Sequence, residues 1–121
     1  IYCAVNQKRF LEPIRAISIV DEYLEHARVM YFYATGKEVV YISSADWMTR
    51  NLDHRVEAAL RINSKKIKHE LIDMPALQLK DNVKARILNN ELDNSYVSNH
   101  KAPHRSQVEL YKYLRKKLKQ E

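Results

Sequence analysis

A histidine and an arginine lie two positions apart in this chain, and a polar turn begins seventeen residues after the histidine. Side chains two apart on an extended segment share one face, so His26 and Arg28 are placed to present an imidazole and a permanent cation to one group. Ser43 and Ser44 open the polar turn and add hydroxyl groups. A titratable base, a fixed cation and hydroxyl donors together favour a site that handles phosphate.

The segments between these groups have the composition of paired strands. Residues 28–34 and 39–43 are rich in aromatic and β-branched side chains, and residues 35–38 between them contain the only glycine. This pattern predicts a β-hairpin. The start of the first strand and the end of the second lie side by side in a hairpin, so we expect His26 to cluster with the serine turn.

The other segments predict a mixture of strands and helices. We predict strands at residues 1–5, 56–62 and 84–88, helices at 17–24 and 106–120, and a loop at 89–103. Ser64 is expected to cap a further helix, which Pro75 interrupts or restarts. The apolar residues Ile67, Leu71 and Met74 recur there at helical spacing. The pattern therefore predicts an α/β chain.

Length and charge narrow the class of protein. A chain of 121 residues with 45% hydrophobic content suits one domain with a modest core. Its formal charge of +6 attracts polyanions, but charge alone does not separate polyphosphate, ATP and nucleic acid. A single cysteine excludes an internal disulfide, and no apolar stretch is long enough to span a bilayer. We therefore expect a cytoplasmic location.

Several long strings of this sequence resemble the carboxy-terminal domain of bacterial polyphosphate kinase. The strings occupy residues 17–29, 40–57, 81–88 and 105–107, in the family's order. The resemblance implies half of a phospholipase-D-like fold, a mixed α/β architecture in which a mixed sheet is flanked by helices. It also implies that residues 1–121 form a single catalytic domain, which is a fragment of a longer enzyme.

The resemblance also implies a reaction, the reversible transfer of the terminal phosphate of ATP to inorganic polyphosphate. The covalent phosphohistidine is expected on a preceding domain outside this chain, and His26 matches the second active-site histidine. That residue is expected to act as acid and base and to contact nucleotide phosphate. Further ATP and phosphate contacts are expected from Arg28, Ser43, Ser44, Asp46 and Arg50.

Cofactors and partners follow from the same resemblance. Mg²⁺ is expected to accompany ATP or ADP, with ligands outside this chain because its residues offer no carboxylate cluster. The expected partners are ATP, polyphosphate and the remaining domains of the same polypeptide, with no specific nucleic acid and no transmembrane segment. The full-length enzyme is expected to be a homo-oligomer, cytoplasmic or membrane-associated. We expect the isolated chain to fold but to be inactive.

Two departures from the family pattern limit what the resemblance carries over. Tyr33 stands where the superfamily has an aspartate that orients its histidine, so another partner is needed. The family's nucleotide-contacting arginine aligns immediately before Ile1. The chain therefore presents only part of the family's site.

Several candidate residues also have plainer roles. Ser43, Ser44 and Asp46 fit an ordinary helix cap, and Trp47 is predicted to pack in the core. A structural ion pair is the favoured role of Arg55, which is two positions from Glu57. Lys101 and Arg105 are expected to line a polyphosphate path or to keep the surface solvated.

Two other functions use the same residues. A phospholipase-D-type phosphodiesterase or nuclease half would also use His26, but Arg28 and Tyr33 replace the usual lysine and aspartate. A non-enzymatic basic module would bind nucleic acid or any polyanion in a salt-sensitive way, and His26→Ala would not affect that binding. Dependence of turnover on His26 separates the kinase from the binding module.

Overall fold

A computed structural model describes residues 10–91 and 93–119 of the chain. The predicted strand at residues 1–5 lies outside the described residues. The described elements are β1 (Ile17–Ile19), β2 (Val29–Ala34), β3 (Lys37–Ser43), α1 (Thr49–His54), β4 (Ala59–Arg61), α2 (Lys65–Gln78), β5 (Ala85–Ile87) and α3 (Ser106–Leu118). The α/β class is confirmed, and the strands form two antiparallel sheets.

The chain divides into two compact units. One consists of residues 25–76, and the other joins the chain up to residue 24 with the chain from residue 77 onward. The expectation of a single domain over residues 1–121 stays a prediction.

A three-stranded sheet, in the order β2-β3-β4, dominates the unit of residues 25–76. The predicted hairpin is confirmed, because β2 and β3 pair antiparallel from Val29 opposite Ile42 to Ala34 opposite Lys37. Thr35 and Gly36 form its turn with φ angles of 49° and 79°, a left-handed conformation that glycine adopts without steric cost. The hairpin thus has the predicted turn and strand pairing.

The third strand and the following helix agree only partly with the sequence patterns. The strand predicted over residues 56–62 is shorter, because β4 covers only Ala59–Arg61 and pairs with the end of β3. Helix α2 begins after Ser64, as predicted. The interruption predicted at Pro75 is wrong, since α2 continues through this proline. Pro75 lies in the last turn of α2. Only a few residues of the helix follow it, so a proline there disturbs few backbone hydrogen bonds.

A two-stranded sheet lies in the other unit. The helix predicted at residues 17–24 is wrong, because Ile17–Ile19 forms strand β1 and pairs antiparallel with β5. β-branched isoleucines favour a strand when a partner supplies the hydrogen bonds. The partner is β5, which confirms the strand predicted at residues 84–88. The described residues of the range 89–103 are irregular, as predicted, apart from one bridge between Arg86 and Tyr96.

Asp81 anchors the start of β5 to the first residue of α3. Its side chain is 1% exposed. One carboxylate oxygen accepts the N–H groups of Val83, Lys84 and Ala85 at 2.9, 2.7 and 3.0 Å. The other oxygen accepts the N–H of Ser106 at 2.7 Å. Arg105, the N-cap of α3, makes no side-chain cap hydrogen bond. The carboxylate of Asp81 instead accepts the N–H of Ser106, one of the N–H groups at the helix start that have no partner within the helix.

Candidate phosphate site

The hairpin brings the two candidate segments to one end of its sheet. The N–H of Ser43 donates to the carbonyl of Arg28 at 2.9 Å, so the positions that flank the two strands are neighbours. His26 precedes β2 with an exposed side chain. Arg28 therefore lies beside the serine turn and His26 is two residues earlier in the chain, while the clustering of His26 with the turn stays a prediction.

Arg28 and Asp46 form an ion pair at this end of the hairpin. Arg28 Nε donates to Asp46 Oδ1 at 2.6 Å, and the two side chains are 26% and 41% exposed. The hydrogen bond from Arg28 lowers the pKa of Asp46 against the opposing effect of burial, and the charges of His26 and Arg50 lower it further. The same bond raises the pKa of Arg28. The carboxylate of Asp46 therefore holds the Arg28 guanidinium in place. The positive charges of His26 and Arg50 also act on this carboxylate.

The reading of Asp46 as a helix cap is wrong. Met48 is the N-cap of α1, and no side chain makes a cap hydrogen bond there. The backbone carbonyl of Asp46 accepts the N–H of Met48 at 2.8 Å, while its carboxylate binds Arg28. Asp46 is thus part of the charged cluster.

The two serines shape the turn with their hydroxyl groups. Ser43 Oγ accepts the N–H of Ala45 at 3.0 Å, and Ser44 Oγ accepts the N–H of Ala58 at 3.0 Å. Ser44 Oγ also donates to the carboxylate of Glu57. As an acceptor in its bond to Ala45, Ser43 keeps a hydroxyl proton for donation, whereas the proton of Ser44 goes to Glu57.

Sequence reasoning missed the carboxylate that supports the turn. Asn51 is 3% exposed, and its Nδ2 donates to Glu57 Oε1 at 2.8 Å. The hydrogen bonds from Ser44, and then from Asn51, lower the pKa of Glu57, and the charge of Arg55 contributes further. The sequence favours Glu57 as an ion-pair partner of Arg55, but the hydrogen bonds of Glu57 join the turn to α1. Nothing local in the sequence indicates that pairing.

A small cavity lies beside the ion pair. It has a volume of about 230 Å³, and its wall includes Arg28, Met30, Ser43 and Asp46. Pockets for drug-sized ligands have about 300–1,000 Å³, so this one suits a phosphoryl group or one part of a nucleotide. Trp47 also lines it and is 77% exposed, so the predicted packing role is wrong.

Two other candidate residues have distinct environments. Arg50 is exposed on α1, and its charge acts on Asp46. Tyr33, at the position of the superfamily's aspartate, is 66% exposed and pairs across the hairpin with Glu38. Tyr33 therefore provides no carboxylate for His26. Asp46 is a carboxylate on which the charge of His26 does act.

Arg105, in the other unit, has a structural role. Its Nε and Nη2 bind the two oxygens of Asp21 at 2.8 and 2.6 Å, and Nη2 also meets Glu22 at 3.1 Å. The Asp21 side chain is 1% exposed, and these bonds raise the pKa of Arg105. Arg105 is therefore not simply a solvated surface cation, whereas the expectation that it lines a polyphosphate path stays a prediction.

The described residues contain neither a metal-binding cluster nor a membrane-spanning helix. In residues 10–91 and 93–119, no three or more His, Cys, Asp and Glu side chains come together in a group able to hold a metal ion. The same residues contain no helix with the length and apolar character needed to cross a membrane. The described side chains therefore form no cluster that would hold Mg²⁺.

Comparison with known proteins identifies close relatives. The family model for polyphosphate kinase C-terminal domain 2 matches residues 1–107. The polyphosphate kinase of Vibrio parahaemolyticus is 48% identical over 110 residues, which are 90% of this chain and 16% of that protein. The polyphosphate kinase of Escherichia coli K12 is 44% identical over 111 residues, again 16% of its length. The chain therefore spans about one sixth of the length of these relatives.

A solved structure shows the same fold. The crystal structure of polyphosphate kinase from Porphyromonas gingivalis has a TM-score of 0.85 and 43% sequence identity with this chain. The match covers 90% of this chain and 17% of the other. This likeness confirms the predicted fold class.

Proposed function

The chain belongs to the family of polyphosphate kinase C-terminal domains, and on that premise we propose that it is a catalytic part of an enzyme that moves phosphate reversibly between ATP and inorganic polyphosphate. The observation that supports the proposal is the ion pair of Arg28 with Asp46 beside the serine turn, with the charge of His26 acting on Asp46. The covalent phosphohistidine belongs to another domain of the polypeptide. The remaining domains are therefore partners in catalysis.

His26 is the acid and base of this proposal. An imidazole holds or releases a proton near neutral pH, and the exposed side chain of His26 is accessible to substrate. It donates a proton to the nucleotide phosphate oxygen as the bond to the terminal phosphorus breaks, and it takes the proton back in the reverse reaction. Asp46, whose pKa the charge of His26 helps to lower, is the candidate partner that orients the ring.

Arg28 supplies the fixed positive charge. Among the described residues, its hydrogen bond is made through Nε, so both Nη groups remain as donors for phosphate oxygens. Holding the guanidinium in place before substrate arrives lets it stabilise developing phosphoryl charge without reorganisation. The hydroxyl proton of Ser43 is a further donor at the same cavity.

Ser44 and Arg50 have supporting roles in the proposed site. Ser44 shapes the turn through its bonds with Glu57 and Ala58, and its own N–H is already bonded to the carbonyl of Ala58 at 3.0 Å. Arg50 adds positive charge at the rim, where it attracts ATP and polyphosphate rather than fixing one atom.

The test compares ATP-dependent polyphosphate synthesis by the full-length wild-type protein and by its His26→Ala variant. We expect a loss of at least about 100-fold, because a positioned acid or base contributes about 10²–10⁴-fold. His54→Ala is the matched control, since His54 is another exposed histidine of the same unit and ends α1, whereas the charge of His26 acts on Asp46. Near-normal synthesis by a folded His26→Ala variant would reduce this unit to a basic binding surface.

A further inference from the structure

A second cavity, in the unit that contains β5 and α3, has a basic wall. Its volume is about 450 Å³, within the range of about 300–1,000 Å³ found for ligand pockets. Arg15, Lys80 and Lys101 contribute positive charge, and no described residue of its lining is acidic. The cavity is therefore suited to an anion.

The positive charges at this cavity differ from other cations of the chain. Ion pairs engage Arg28 with Asp46, Arg105 with Asp21, and Lys112 with Glu109. Within residues 10–91 and 93–119, by contrast, no ion pair joins Arg15, Lys80 or Lys101 to a carboxylate. Like charges gathered around a concave surface raise the local potential, which attracts an anion.

The wall of this cavity is held in place by a polar side chain. Asn82 Oδ1 accepts the N–H of His104 at 2.7 Å, and its Nδ2 donates to Asn99 Oδ1 at 2.8 Å and to the Ala102 carbonyl at 3.1 Å. The N–H of Asn82 donates to the His104 carbonyl at 3.1 Å. Asn82 also follows the buried anchor Asp81 in sequence. An anion entering this cavity thus meets a wall that is already ordered, so less entropy is lost on binding.

We infer that this cavity binds a segment of an inorganic polyphosphate chain, as an anion site additional to the one at His26. The inference rests on the proposed function, because that reaction makes polyphosphate available as a ligand. The lining contains no Phe, Tyr or Trp, and its one imidazole, His104, is hydrogen-bonded through Nε2 to the Leu77 carbonyl at 3.0 Å. Proteins bind single-stranded nucleic acid largely by stacking bases on aromatic side chains. A phosphate chain without bases therefore fits this wall better than RNA.

The test compares two triple variants of the full-length protein that lose equal charge. The cavity variant is Arg15→Gln/Lys80→Gln/Lys101→Gln, and the control on α3 and its C-cap is Arg115→Gln/Lys116→Gln/Lys119→Gln. Fluorescence anisotropy of end-labelled polyphosphate of defined length gives Kd at several salt concentrations, without nucleotide. The cavity variant is expected to raise Kd at least about tenfold and to reduce the salt slope by about three. The control is expected to change Kd less than about twofold.

Two results would overturn the inference. One is an equal loss of affinity in both triple variants, which would make the effect one of net charge. The other is competition by unlabelled RNA as effective as that by polyphosphate at equal phosphate concentration. Circular dichroism verifies that each variant is folded. The single variant Lys101→Gln, at an exposed position, gives a milder test, with an expected reduction of about one in the salt slope of polyphosphate binding.

The binding assay is independent of catalysis because it contains no ATP. Loss of synthesis in the cavity variant is therefore not needed to support the site. A protein that lacks phosphotransferase activity but shows the difference between the two variants would refute the proposed reaction alone. A protein that needs His26 for synthesis but shows no such difference would refute only the second site.

Discussion

Replacement of Asp81 by asparagine tests the anchor between β5 and α3. The wild-type carboxylate accepts four backbone N–H groups, three on one oxygen and that of Ser106 on the other. Asparagine keeps the size but has one acceptor oxygen and no charge. Its amide group would therefore face the buried N–H of Ser106, leaving that donor without an acceptor.

The size of the effect follows from the pKa of Asp81. Burial, the largest single influence, raises this pKa, but the N–H groups of Ser106, Lys84, Ala85 and Val83 together lower it from 3.8 to about 2. That difference corresponds to about 2 kcal/mol of stability at neutral pH. Because the folded-state pKa is lowered, the contribution is complete above about pH 5 and is lost as the pH falls through 3.8 towards 2.

Hydrogen exchange in the full-length protein measures this contribution. At pH 7 we expect Asp81→Asn to lower the protection of amides in residues 83–85 and 106 by about 30-fold, the equivalent of about 2 kcal/mol. At pH 3 about half of the difference between wild type and variant is expected to disappear. Asp93→Asn is the control, because Asp93 also accepts local hydrogen bonds but is exposed, and we expect no change in those amides.

Either of two results would refute the reasoning about Asp81. A difference in protection below about threefold at pH 7 would mean that the anchor contributes little. A large difference that stays constant from pH 7 to pH 3 would mean that the lost stability does not come from the carboxylate charge.

Three further predictions concern the unit that contains the hairpin. Asp46→Asn removes the negative charge that pairs with Arg28. The full-length variant should therefore bind tripolyphosphate a few-fold more tightly in calorimetry but synthesise polyphosphate more slowly, and an unchanged affinity and rate would contradict the role of the ion pair. Glu57→Gln weakens the bonds to Ser44, so we expect a melting temperature lower by a few degrees, and an unchanged one would count against the network. Acrylamide should quench Trp47, the only tryptophan of the 121-residue chain, almost as readily as free indole, and shielded emission would contradict its exposure.

Local chemistry explains what the sequence predicted correctly. The hairpin follows from β-branched and aromatic residues on both sides of Thr35 and Gly36, so neighbours in sequence determine it. Helix α3 follows from apolar residues at helical spacing. The resemblance to a family added the family's fold, which the residue patterns leave open, and the reaction that is proposed for the full-length protein.

Long-range contacts explain what the sequence missed. Ile17–Ile19 is a strand because β5, far along the chain, pairs with it. The sequence does not predict the ion pair of Arg105, because nothing near Arg105 in sequence reveals the buried carboxylate of Asp21. In the same way, Glu57 meets Ser44 only after the chain has folded. In each case the deciding partner is distant in sequence.

The central claim is that His26 takes part in the transfer of phosphate to a histidine on another domain. The most direct measurement is a single-turnover experiment in which full-length wild type and His26→Gln are mixed with ATP labelled at its terminal phosphate, and protein-bound phosphohistidine is followed with time. We predict that the variant forms phosphohistidine at least about 100-fold more slowly while its fold is unchanged. Formation within about twofold of the wild-type rate would contradict the claim.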